Sequence, residues 1–592
     1  MRLRRVYLLL LLALLPLPLG RAPTPATARD SGPPPGEQAF FPPRRAHTAV
    51  GDPRPSREQP SAFMAGRVAI QAILVESDGA VDPSAEDWTP DQVAAIRGQI
   101  GAALDWWRAR LPNARLSFDL TTRIVESDYE PITYDLAGED LWIGDTLRRI
   151  GFPGANYFDQ AYTADDALRH ARATDWATTI FVVNSEHDDD GRFADGLFAY
   201  AYIGGPFLVI TSKAGPYGTA QLAPVVAHEL GHIFGALDQY AAAQVPCTQA
   251  SGYLSVSTIN SQMDNCGTHF TSIMLDPVPA YIGGQVDASA LGQIGYRDSE
   301  NDGLPDPLDT APVLQATIVR PPNAGRPVVA GWAIDQPYPS HFEPPATINA
   351  IERVEYRVDS GDWIALPAAD GIYDSASESI TTTLPLYDGQ HGVELRAINS
   401  VGAASPLVRK SVTVNGVGAA PDYGAKTPQL SNSTKITLAL VAPAGSSAQI
   451  SEDPFFIGSA WVPAAANVGV RLSATDGPHN LYVRFRDGSG LESPPFSRTV
   501  TLDRQAPSGH ALIHGGAAPW VEIQAEDSVS GVAAVQIDDD VSTGAWQPFQ
   551  QSLPIGRNRI RIQVRLRDAA GNISKPIPIQ SSGIYLPLIS TL

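Results

Sequence analysis

Residues 228–238 read HELGHIFGALD, and this stretch decides how the first half of the chain is interpreted. His228 and His232 are four residues apart, which places both on one face of a helix. That arrangement suits two nitrogen ligands of one zinc ion, with Glu229 placed to act on a metal-activated water rather than to bind the metal. Gly235 can adopt a left-handed conformation and end the helix, so that the turning chain brings Asp238 back as the third ligand.

This pattern resembles that of the metzincin metallopeptidases, which is HExxHxxGxxH, or HExxHxxGxxD in the snapalysin-like branch. Asp238 stands where most metzincins have histidine, and an oxygen ligand is still normal for zinc. The resemblance implies a Zn2+-dependent endopeptidase in which Glu229 is the general base. His269 is the alternative third ligand, but the spacing of Asp238 needs no assumption about distant folding.

A methionine downstream extends the resemblance. Metzincins place a methionine in a tight turn beneath the metal, and Met274 is the candidate among only four methionines in the chain. A core methionine that fills a gap is the alternative. Many metzincins have a tyrosine two residues further on, where this chain has Asp276. Tyr240 and Tyr281 are therefore the candidates for stabilising an oxyanion.

Length and composition indicate a multidomain, exported protein. A chain of 592 residues is too long for one core, and its net charge of −21 argues against nucleic acid and anionic membranes as partners. Residues 1–28 are interpreted as a signal peptide, because a basic start precedes a short apolar run and a small-residue cleavage site. An uncleaved anchor is the alternative, but Pro16 and Pro18 interrupt the run. The chain is thus predicted to be secreted and extracellular, with no membrane span after signal cleavage. The resemblance of the zinc motif implies a protein or peptide as substrate.

Two cysteines, Cys247 and Cys266, lie between the zinc motif and Met274. In an exported chain this spacing predicts one disulfide, whose loop closure contributes roughly 3 kcal/mol. Two unpaired buried thiols are the alternative. No cysteine precedes the zinc motif, which excludes latency through a thiolate that caps the metal.

Residues 65–296 are predicted to form a zinc metallopeptidase domain of the α/β (α+β) class. Alternating patterns predict strands at 68–77, 114–126, 178–186 and 207–212, with helices at 90–111 and 161–174. We expect the strand at 207–212 to be the edge strand above the cleft, where a substrate peptide pairs with free backbone groups. Residues 29–64, rich in proline, are interpreted as a linker or propeptide.

Two acidic stretches are candidates for Ca2+. Residues 297–312 form an acidic linker that resembles the calcium loops of thrombospondin type 3 repeats and, less closely, an EF-hand loop. Its candidate ligands are Asp298, Glu300, Asp302, Asp306 and Asp309. The second stretch contains Asp188, Asp189, Asp190 and Asp195. A solvated acidic segment is the alternative for both.

One sequence segment occurs three times in the remainder of the chain and is called the repeated closing phrase. It appears as VELRAINSVGAASP (393–406), YVRFRDGSGLESPP (482–495) and IQVRLRDAAGNISKP (562–576). The repeat predicts three all-β sandwich domains at 313–416, 417–505 and 506–580, with a C-terminal tail at 581–592. They resemble the immunoglobulin-like or fibronectin type III-like repeats of bacterial secreted enzymes, which implies a polymer or cell-surface ligand or a spacer role.

Three functions compete on these observations. The first is a secreted zinc endopeptidase. The second is a surface adhesion or binding protein with an inactive metallopeptidase-like domain, which would not need Glu229. The third is a thermolysin-like hydrolase, whose third ligand is a glutamate on a later helix; Gly235, Asp238 and Met274 argue against it.

Overall fold

The computed structural model describes residues 36–43, 53–84, 86–263, 266–320, 325–556 and 561–581. The predicted signal peptide at 1–28, much of the predicted linker at 29–64, and nearly all of the tail at 581–592 lie outside the described residues. Within the described ranges, no helix combines the length and the apolar character that a membrane crossing requires.

The N-terminal domain is built on a six-stranded sheet of order β1-β5-β6-β4-β2-β3. All strand pairs are parallel except β5 with β6, as expected for strands joined by helical crossovers. Besides short 3-10 turns, the elements of this domain are β1 (Glu37–Phe40), β2 (Arg67–Ser77), α1 (Pro90–Arg110), β3 (Ser117–Ser127), α2 (Glu139–Arg149), α3 (Tyr157–Arg172), β4 (Trp176–Val183), β5 (Ala199–Tyr202), β6 (Phe207–Thr211), α4 (Leu222–Ile233), β7 (Ala250–Ser251), β8 (Val256–Ser257), α5 (Pro277–Gly283) and α6 (Ala288–Gln293).

Helix and strand signals in the sequence are confirmed in this domain. Helix α1 starts at a capping box in which the Thr89 side chain accepts from the Gln92 backbone and the Gln92 side chain accepts from the Thr89 backbone. Strand β4 is buried along its whole length, which explains its uninterrupted apolar sequence. Helix α2 was not predicted from the sequence, because its turn-rich surroundings hide its periodicity.

The edge strand was predicted wrongly. β6 pairs with β4 on one side and with β5 on the other, so residues 207–211 lie inside the sheet. The strand at this edge of the sheet is β1, from the segment predicted to be a linker or propeptide, and it covers the outer edge of β5. A short apolar strand in the interior and one at an edge have the same sequence pattern, because the pattern reports burial and not pairing.

Two apolar cores lie on opposite faces of the sheet. One contains α1, α4 and the turn around Met274, and the other contains α2 and α3. Helix α4 is buried at every position, so it is held from all sides rather than by one amphipathic face. The Trp107 indole on α1 donates to the Ala227 carbonyl of α4 at 2.9 Å. The zinc motif therefore lies on a rigid element.

Three β-sandwich modules follow, which confirms the predicted run of all-β domains. Each has its own apolar core between two sheets. Module 1 comprises β9 (Pro312–Val319), β10 (Val328–Asp335), β11 (Ile351–Val358), β12 (Ile364–Leu366), β13 (Ser377–Thr383), β14 (Gly389–Asn399) and β15 (Val408–Val414). Module 2 comprises β16 (Gly424–Lys426), β17 (Leu430–Ser431), β18 (Lys435–Val441), β19 (Ser447–Ser451), β20 (Val462–Pro463), β21 (Asn467–Arg471), β22 (Gly477–Arg486) and β23 (Phe496–Leu502). Module 3 comprises β24 (Ser508–His514), β25 (Trp520–Glu526), β26 (Val532–Asp539), β27 (Gln547–Pro548), β28 (Ser552–Pro554), β29 (Ile562–Asp568) and β30 (Ile579–Ser581).

The repeated closing phrase forms the same turn in all three modules. After β14, β22 and β29 the chain turns back into an isolated antiparallel bridge. A serine hydroxyl in each turn accepts a backbone N–H of the preceding strand at 2.9–3.0 Å, namely Ser405 from Ala397, Ser493 from Phe485 and Ser574 from Leu566. The repeat in sequence is therefore a repeat of side-chain-to-backbone bonds that close the turn.

Module 1 is docked on the N-terminal domain. The Tyr253 hydroxyl donates to the Tyr338 carbonyl at 2.6 Å and accepts the Ala346 N–H at 2.9 Å. Tyr253 itself is fully buried, and the Thr347 N–H donates to the Pro53 carbonyl at 2.8 Å. These contacts make module 1 a support for the loop that follows the zinc motif.

Candidate metal centre

The side chains of His228, His232 and Asp238 converge on one point. The two Nε2 atoms are 3.1 Å apart, and each is 3.1 Å from Asp238 Oδ1. Helix α4 supplies both histidines and ends at Ile233, and Gly235 then turns the chain with φ +97°. A Cβ at Gly235 would also lie 2.7 Å from Gly252 Cα, so glycine is required by the backbone conformation and by the close approach.

Hydrogen bonds behind the histidines determine which ring nitrogen faces the centre. His228 Nδ1 lies 2.8 Å from the Ile273 carbonyl, and His232 Nδ1 lies 2.8 Å from the Ala236 carbonyl. A carbonyl oxygen only accepts, so both Nδ1 atoms carry the proton and both Nε2 atoms present lone pairs. Two lone pairs and a carboxylate oxygen facing each other at 3.1 Å repel unless a proton or a metal ion lies between them.

This geometry fits Zn2+. Four-coordinate zinc with bonds of about 2.0–2.1 Å keeps its ligand atoms roughly 3.3–3.4 Å apart, close to the 3.1 Å edges of this triangle. Asp238 Oδ1 is buried and lies 3.1 Å from each Nε2, so when both Nε2 atoms are unprotonated it has no donor and a metal ion can satisfy it. Three protein ligands also leave a fourth position, as in catalytic rather than structural zinc sites.

The electrostatics of the pocket favour a positive charge at this point. Burial lowers the pKa of His228, but the hydrogen bond to Asp238 and the charge of Glu37 outweigh it and raise that pKa to about 10. Burial opposes ionisation of Asp238, yet the charge of His232 and the two imidazole contacts hold its pKa below the usual value. The pocket therefore favours a positive charge among these groups, which is a proton on His228 when no metal ion is bound.

Glu229 is fully buried beside the ligands, and neither of its carboxylate oxygens has a hydrogen-bond partner. Burial raises the pKa of Glu229 well above its usual value, although the charge of His228 opposes this. A buried carboxyl without a partner is costly, and such groups occur where a proton must be exchanged during a reaction. The arrangement suits a general base.

Met274 lies in a turn beneath α4. It is fully buried, and its Sδ would be 2.7 Å from a Cβ at Gly231, the residue just before His232. The Ile273 carbonyl next to it holds His228, and the Met274 carbonyl accepts the Gln239 N–H at 2.9 Å. The turn therefore supports the first histidine and the loop that carries Asp238.

A buried polar network that the sequence did not reveal holds the Asp238 loop. Gln239 Nε2 donates to Asp287 Oδ2 at 2.6 Å, and Asn260 Nδ2 donates to Gln239 Oε1 at 2.9 Å. The Leu237 N–H donates to Gln293 Oε1 at 2.9 Å. Single amides scattered along a sequence give no pattern, so only their convergence identifies them as positioning residues.

The structure places the remaining candidates, which are two tyrosines and one histidine, in different surroundings. The Tyr240 ring stacks on His228 with 6.4 Å between centroids, and burial raises the pKa of Tyr240, so its hydroxyl keeps its proton. Tyr281 instead stacks on Trp106, and its hydroxyl donates to the Ala102 carbonyl of α1. His269 is exposed and is not part of the converging group. Of the two tyrosines, Tyr240 is therefore the one that lies beside the converging side chains.

Cys247 and Cys266 form the predicted disulfide, with Cα atoms 5.6 Å apart. It closes the segment between the zinc motif and the Met274 turn.

In the acidic linker, ligand atoms of Asp298, Glu300 and Asp302 lie within 4.8 Å of one another. A hydrogen bond to Asp309 raises the pKa of Glu300 to about 7. Asp306 is not part of this group and instead accepts from Arg297 Nε at 2.7 Å and from the Ser299 hydroxyl at 2.9 Å. In the other acidic stretch, Asp188 and Asp195 accept backbone N–H groups of their own turns, and no convergent acidic group of the described residues includes 188–195.

A further acidic group, which the sequence reasoning missed, lies between modules 2 and 3. Asp503, Asp527 and Asp568 bring carboxylate oxygens within 4.8 Å of one another. Asp568 belongs to the repeated closing phrase, and this membership is the sequence feature that could have drawn attention to the acidic group.

No protein-family model matches the chain, and no curated protein matches it. Among solved structures, chicken CNTN1 FN1-FN3 domains are 12% identical, with 45% of this chain and 95% of that chain covered and a TM-score of 0.20. The fibronectin(III)-like modules of Clostridium thermocellum CbhA are 19% identical, with 32% and 94% covered and a TM-score of 0.12. A tetra-tandem repeat in the extending region of a large adhesion protein is 17% identical, with 45% and 72% covered and a TM-score of 0.13. TM-scores of this size carry no argument about this chain.

Proposed function

We propose that this chain is a secreted zinc-dependent endopeptidase of the metzincin type. One observation carries the proposal: two imidazole lone pairs and a carboxylate oxygen meet at 3.1 Å beside the unpartnered carboxylate of Glu229. Three ligands, an open fourth position and a buried base are the components that hydrolysis at a metal requires.

His228, His232 and Asp238 would hold the ion. When bound, Zn2+ supplies Lewis-acid activation of water and of the substrate carbonyl. Glu229 takes the proton from the attacking water and passes it to the departing amine, and the absence of a hydrogen-bond partner leaves both of its oxygens available for these steps. The protonated Tyr240 hydroxyl donates a hydrogen bond to the developing oxyanion.

The substrate would bind as an extended strand along the outer edge of β5. The free backbone groups of an edge strand pair with any peptide main chain, so side-chain preferences come from the adjoining pockets. A cavity of about 620 Å³ lies next to this edge and is lined by Phe198, Tyr217, Tyr240 and Leu275 among others. Its walls combine these apolar and aromatic side chains with the charged Arg192 and Asp276, so it suits a substrate side chain with an apolar body and a polar end.

The three modules have the role of a stalk or of a binding region for a polymer or cell-surface ligand. Module 1 also supports the catalytic domain through its contacts with Tyr253. Export of the chain follows from the predicted signal peptide and accords with the disulfide between Cys247 and Cys266.

The test compares wild type with Glu229→Gln for bound zinc and for hydrolysis of a quenched fluorescent peptide mixture. Because β1 covers the edge of β5, hydrolysis is measured on the intact chain and after a cut between residues 43 and 53. Glu229→Gln is expected to keep one zinc per chain and to lose activity by about 10²–10⁴-fold. Glu126→Gln, whose side chain is 68% exposed on β3, is the matched control and should behave as wild type.

Full activity in Glu229→Gln would refute the proposal. Zinc binding without hydrolysis in either form of the wild-type chain would instead support the alternative function, a surface adhesion or binding protein with a metallopeptidase-like domain.

A further inference from the structure

A cavity of about 760 Å³ lies between the N-terminal domain and module 1. Ligand sites in proteins commonly have volumes of about 300–1,000 Å³ and often lie between domains, so this cavity has the size and the place of a binding site. Both domains supply its walls: the N-terminal domain contributes Tyr162, Ile203, Gly204, Gly235 and Ser251 among others, and module 1 contributes His341, Phe342 and Glu343.

The cavity begins where β5 ends. β5 stops at Tyr202, and the next two residues, Ile203 and Gly204, line the cavity. The Gly204 N–H donates to the His232 carbonyl at 3.0 Å, which ties this wall to the end of helix α4. An extended chain advances about 3.3 Å per residue. A peptide extended along the four residues of β5 would therefore reach the cavity with a residue several positions away from the bond that is cut.

Glu343 reaches from module 1 across to the N-terminal domain. Its Oε1 would lie 3.7 Å from a Cβ at Gly204 on the facing wall. The surrounding loop is held on both sides of this residue, because Gln59 Nε2 donates to the Pro344 carbonyl at 2.7 Å and the Thr347 N–H donates to the Pro53 carbonyl at 2.8 Å. The Glu343 carboxyl group therefore has a defined position in the cavity.

The charge of Glu343 is not balanced by the protein. Within the described part of the chain, no arginine, lysine or histidine forms an ion pair with it, and the nearby Arg57 is paired with Glu58 at 2.8 Å and with Asp159 at 3.4 Å. Burial raises the pKa of Glu343 to about 7, although a hydrogen bond from the Gln59 side chain opposes this. A carboxyl group held in a cavity without a counter-charge favours a cationic ligand.

Phe342 supplies an aromatic surface next to this carboxyl group. Its residue is 58% exposed although it is large and apolar, and it lines the same cavity as Glu343. A planar guanidinium group stacks on an aromatic ring and also pairs with a carboxylate through two parallel hydrogen bonds, whereas the compact ammonium group of lysine has no such fork. The two side chains together therefore match arginine better than lysine.

We propose that this cavity is a subsite for an arginine side chain of the substrate, with Glu343 as its ion-pair partner and Phe342 as its stacking surface. The inference rests on the proposed function and adds a substrate preference to it. Because Glu343 and Phe342 belong to module 1, the preference comes from a β-sandwich module and not from the metal-bearing domain alone.

The first test measures binding without hydrolysis. N-acetylarginine amide and the neutral analogue N-acetylcitrulline amide, which has nearly the same shape, are titrated separately into the full chain by calorimetry. The arginine probe is expected to bind at least about tenfold more tightly. Glu343→Gln should abolish this difference. Glu352→Gln is the matched control on strand β11 of the same module, with a side chain that is 54% exposed, and should keep the difference.

A second variant separates the two contacts. Phe342→Ala removes the stacking surface from an exposed position, so the fold should persist. It should weaken binding of the arginine probe by about 2–5-fold while the probe stays preferred over citrulline. An unchanged affinity would remove Phe342 from the subsite.

The kinetic test uses peptides that carry either arginine or citrulline at one position, from the third to the sixth residue on each side of the bond that is cut. In the form of the wild-type chain that hydrolyses peptides, arginine at one of these positions should raise kcat/KM at least about tenfold over citrulline. In Glu343→Gln the two peptides should be cut equally, and Glu352→Gln should behave as wild type.

The outcomes separate the two proposals. Equal binding of both probes by wild type, or an undiminished preference in Glu343→Gln, would overturn the arginine subsite even if peptides are hydrolysed. A binding preference without any kinetic preference would overturn its role in substrate selection. Glu343-dependent binding of the arginine probe, with no hydrolysis of any peptide, would keep the arginine site and refute the proposed peptidase.

Discussion

Replacing Gly231 by alanine tests whether Met274 packs tightly against helix α4, which carries His228 and His232. A new Cβ would lie 2.7 Å from Met274 Sδ and 3.3 Å from its Cε. Met274 is fully buried, so it cannot swing into solvent to make room. Overpacking of this kind costs about 1–3 kcal/mol. Alanine is favoured over glycine inside a helix by about 0.5–1 kcal/mol, which offsets part of the cost.

The net loss is therefore about 1 kcal/mol, within a range of about 0–2.5 kcal/mol. A matched control is Gly98→Ala, which makes the same change in helix α1 where a Cβ meets nothing within 4 Å. It should stabilise the domain by about 0.5–1 kcal/mol. For a domain of this size each kcal/mol shifts the melting temperature by about 2–4 °C, so the two variants should move it in opposite directions.

The assay is calorimetry of the full chain, in which a chelator identifies the melting transition of the metal-bearing domain. Combining Gly231→Ala with Met274→Ala should cost less than the sum of the single changes, because the cavity left by one accommodates the other. If Gly231→Ala raises the melting temperature as Gly98→Ala does, or if the two changes are additive, Met274 does not support the helix as described.

Three further predictions concern stability. Removing the disulfide in a Cys247→Ala/Cys266→Ala variant should lower the free energy of unfolding of the N-terminal domain by about 3 kcal/mol, measured as a shift of its urea midpoint, and an unchanged midpoint would contradict this. Burial raises the pKa of Asp165 well above its usual value. The contribution of Asp165 to the free energy of unfolding is therefore complete below its unfolded-state pKa and is lost as pH rises through its folded-state pKa. Asp165→Asn should therefore melt higher than wild type at pH 8, with a difference that shrinks towards pH 4; a constant difference would argue against this cause. Deleting 417–592 should leave bound zinc and the chelator-sensitive transition unchanged, whereas deleting 313–592 should lower that transition because Tyr253 loses its partners in module 1.

Much of the candidate site was predictable because its ligands are close in sequence. The spacing from His228 to Asp238 is short, and one helix turn and one glycine suffice to bring the three ligands together. Met274 is more distant, and its position beneath the helix came from a resemblance and not from spacing. The network around Gln239 could not be predicted, because its members are single polar residues without any period.

The edge of the sheet shows where a local pattern fails. The apolar run at 207–211 correctly predicts a strand, but a run of this kind does not reveal which neighbours pair with it. Likewise, Glu37 belongs to a proline-rich stretch that predicts a linker or propeptide and no strand. Its approach to His228 depends on contacts between residues far apart in the chain.

The sequence by itself determined the zinc motif, the disulfide partners, the alternation of helices and strands, and the three modules with their repeated turn. These features are local or periodic, so helix geometry, side-chain alternation and repetition express them directly. Only the tertiary structure decided that β1 covers the outer edge of β5, that Tyr240 rather than Tyr281 lies beside His228, and that Glu37 approaches His228. Strand order and the docking of distant segments depend on which buried surfaces fit together, and that complementarity is a property of the folded chain.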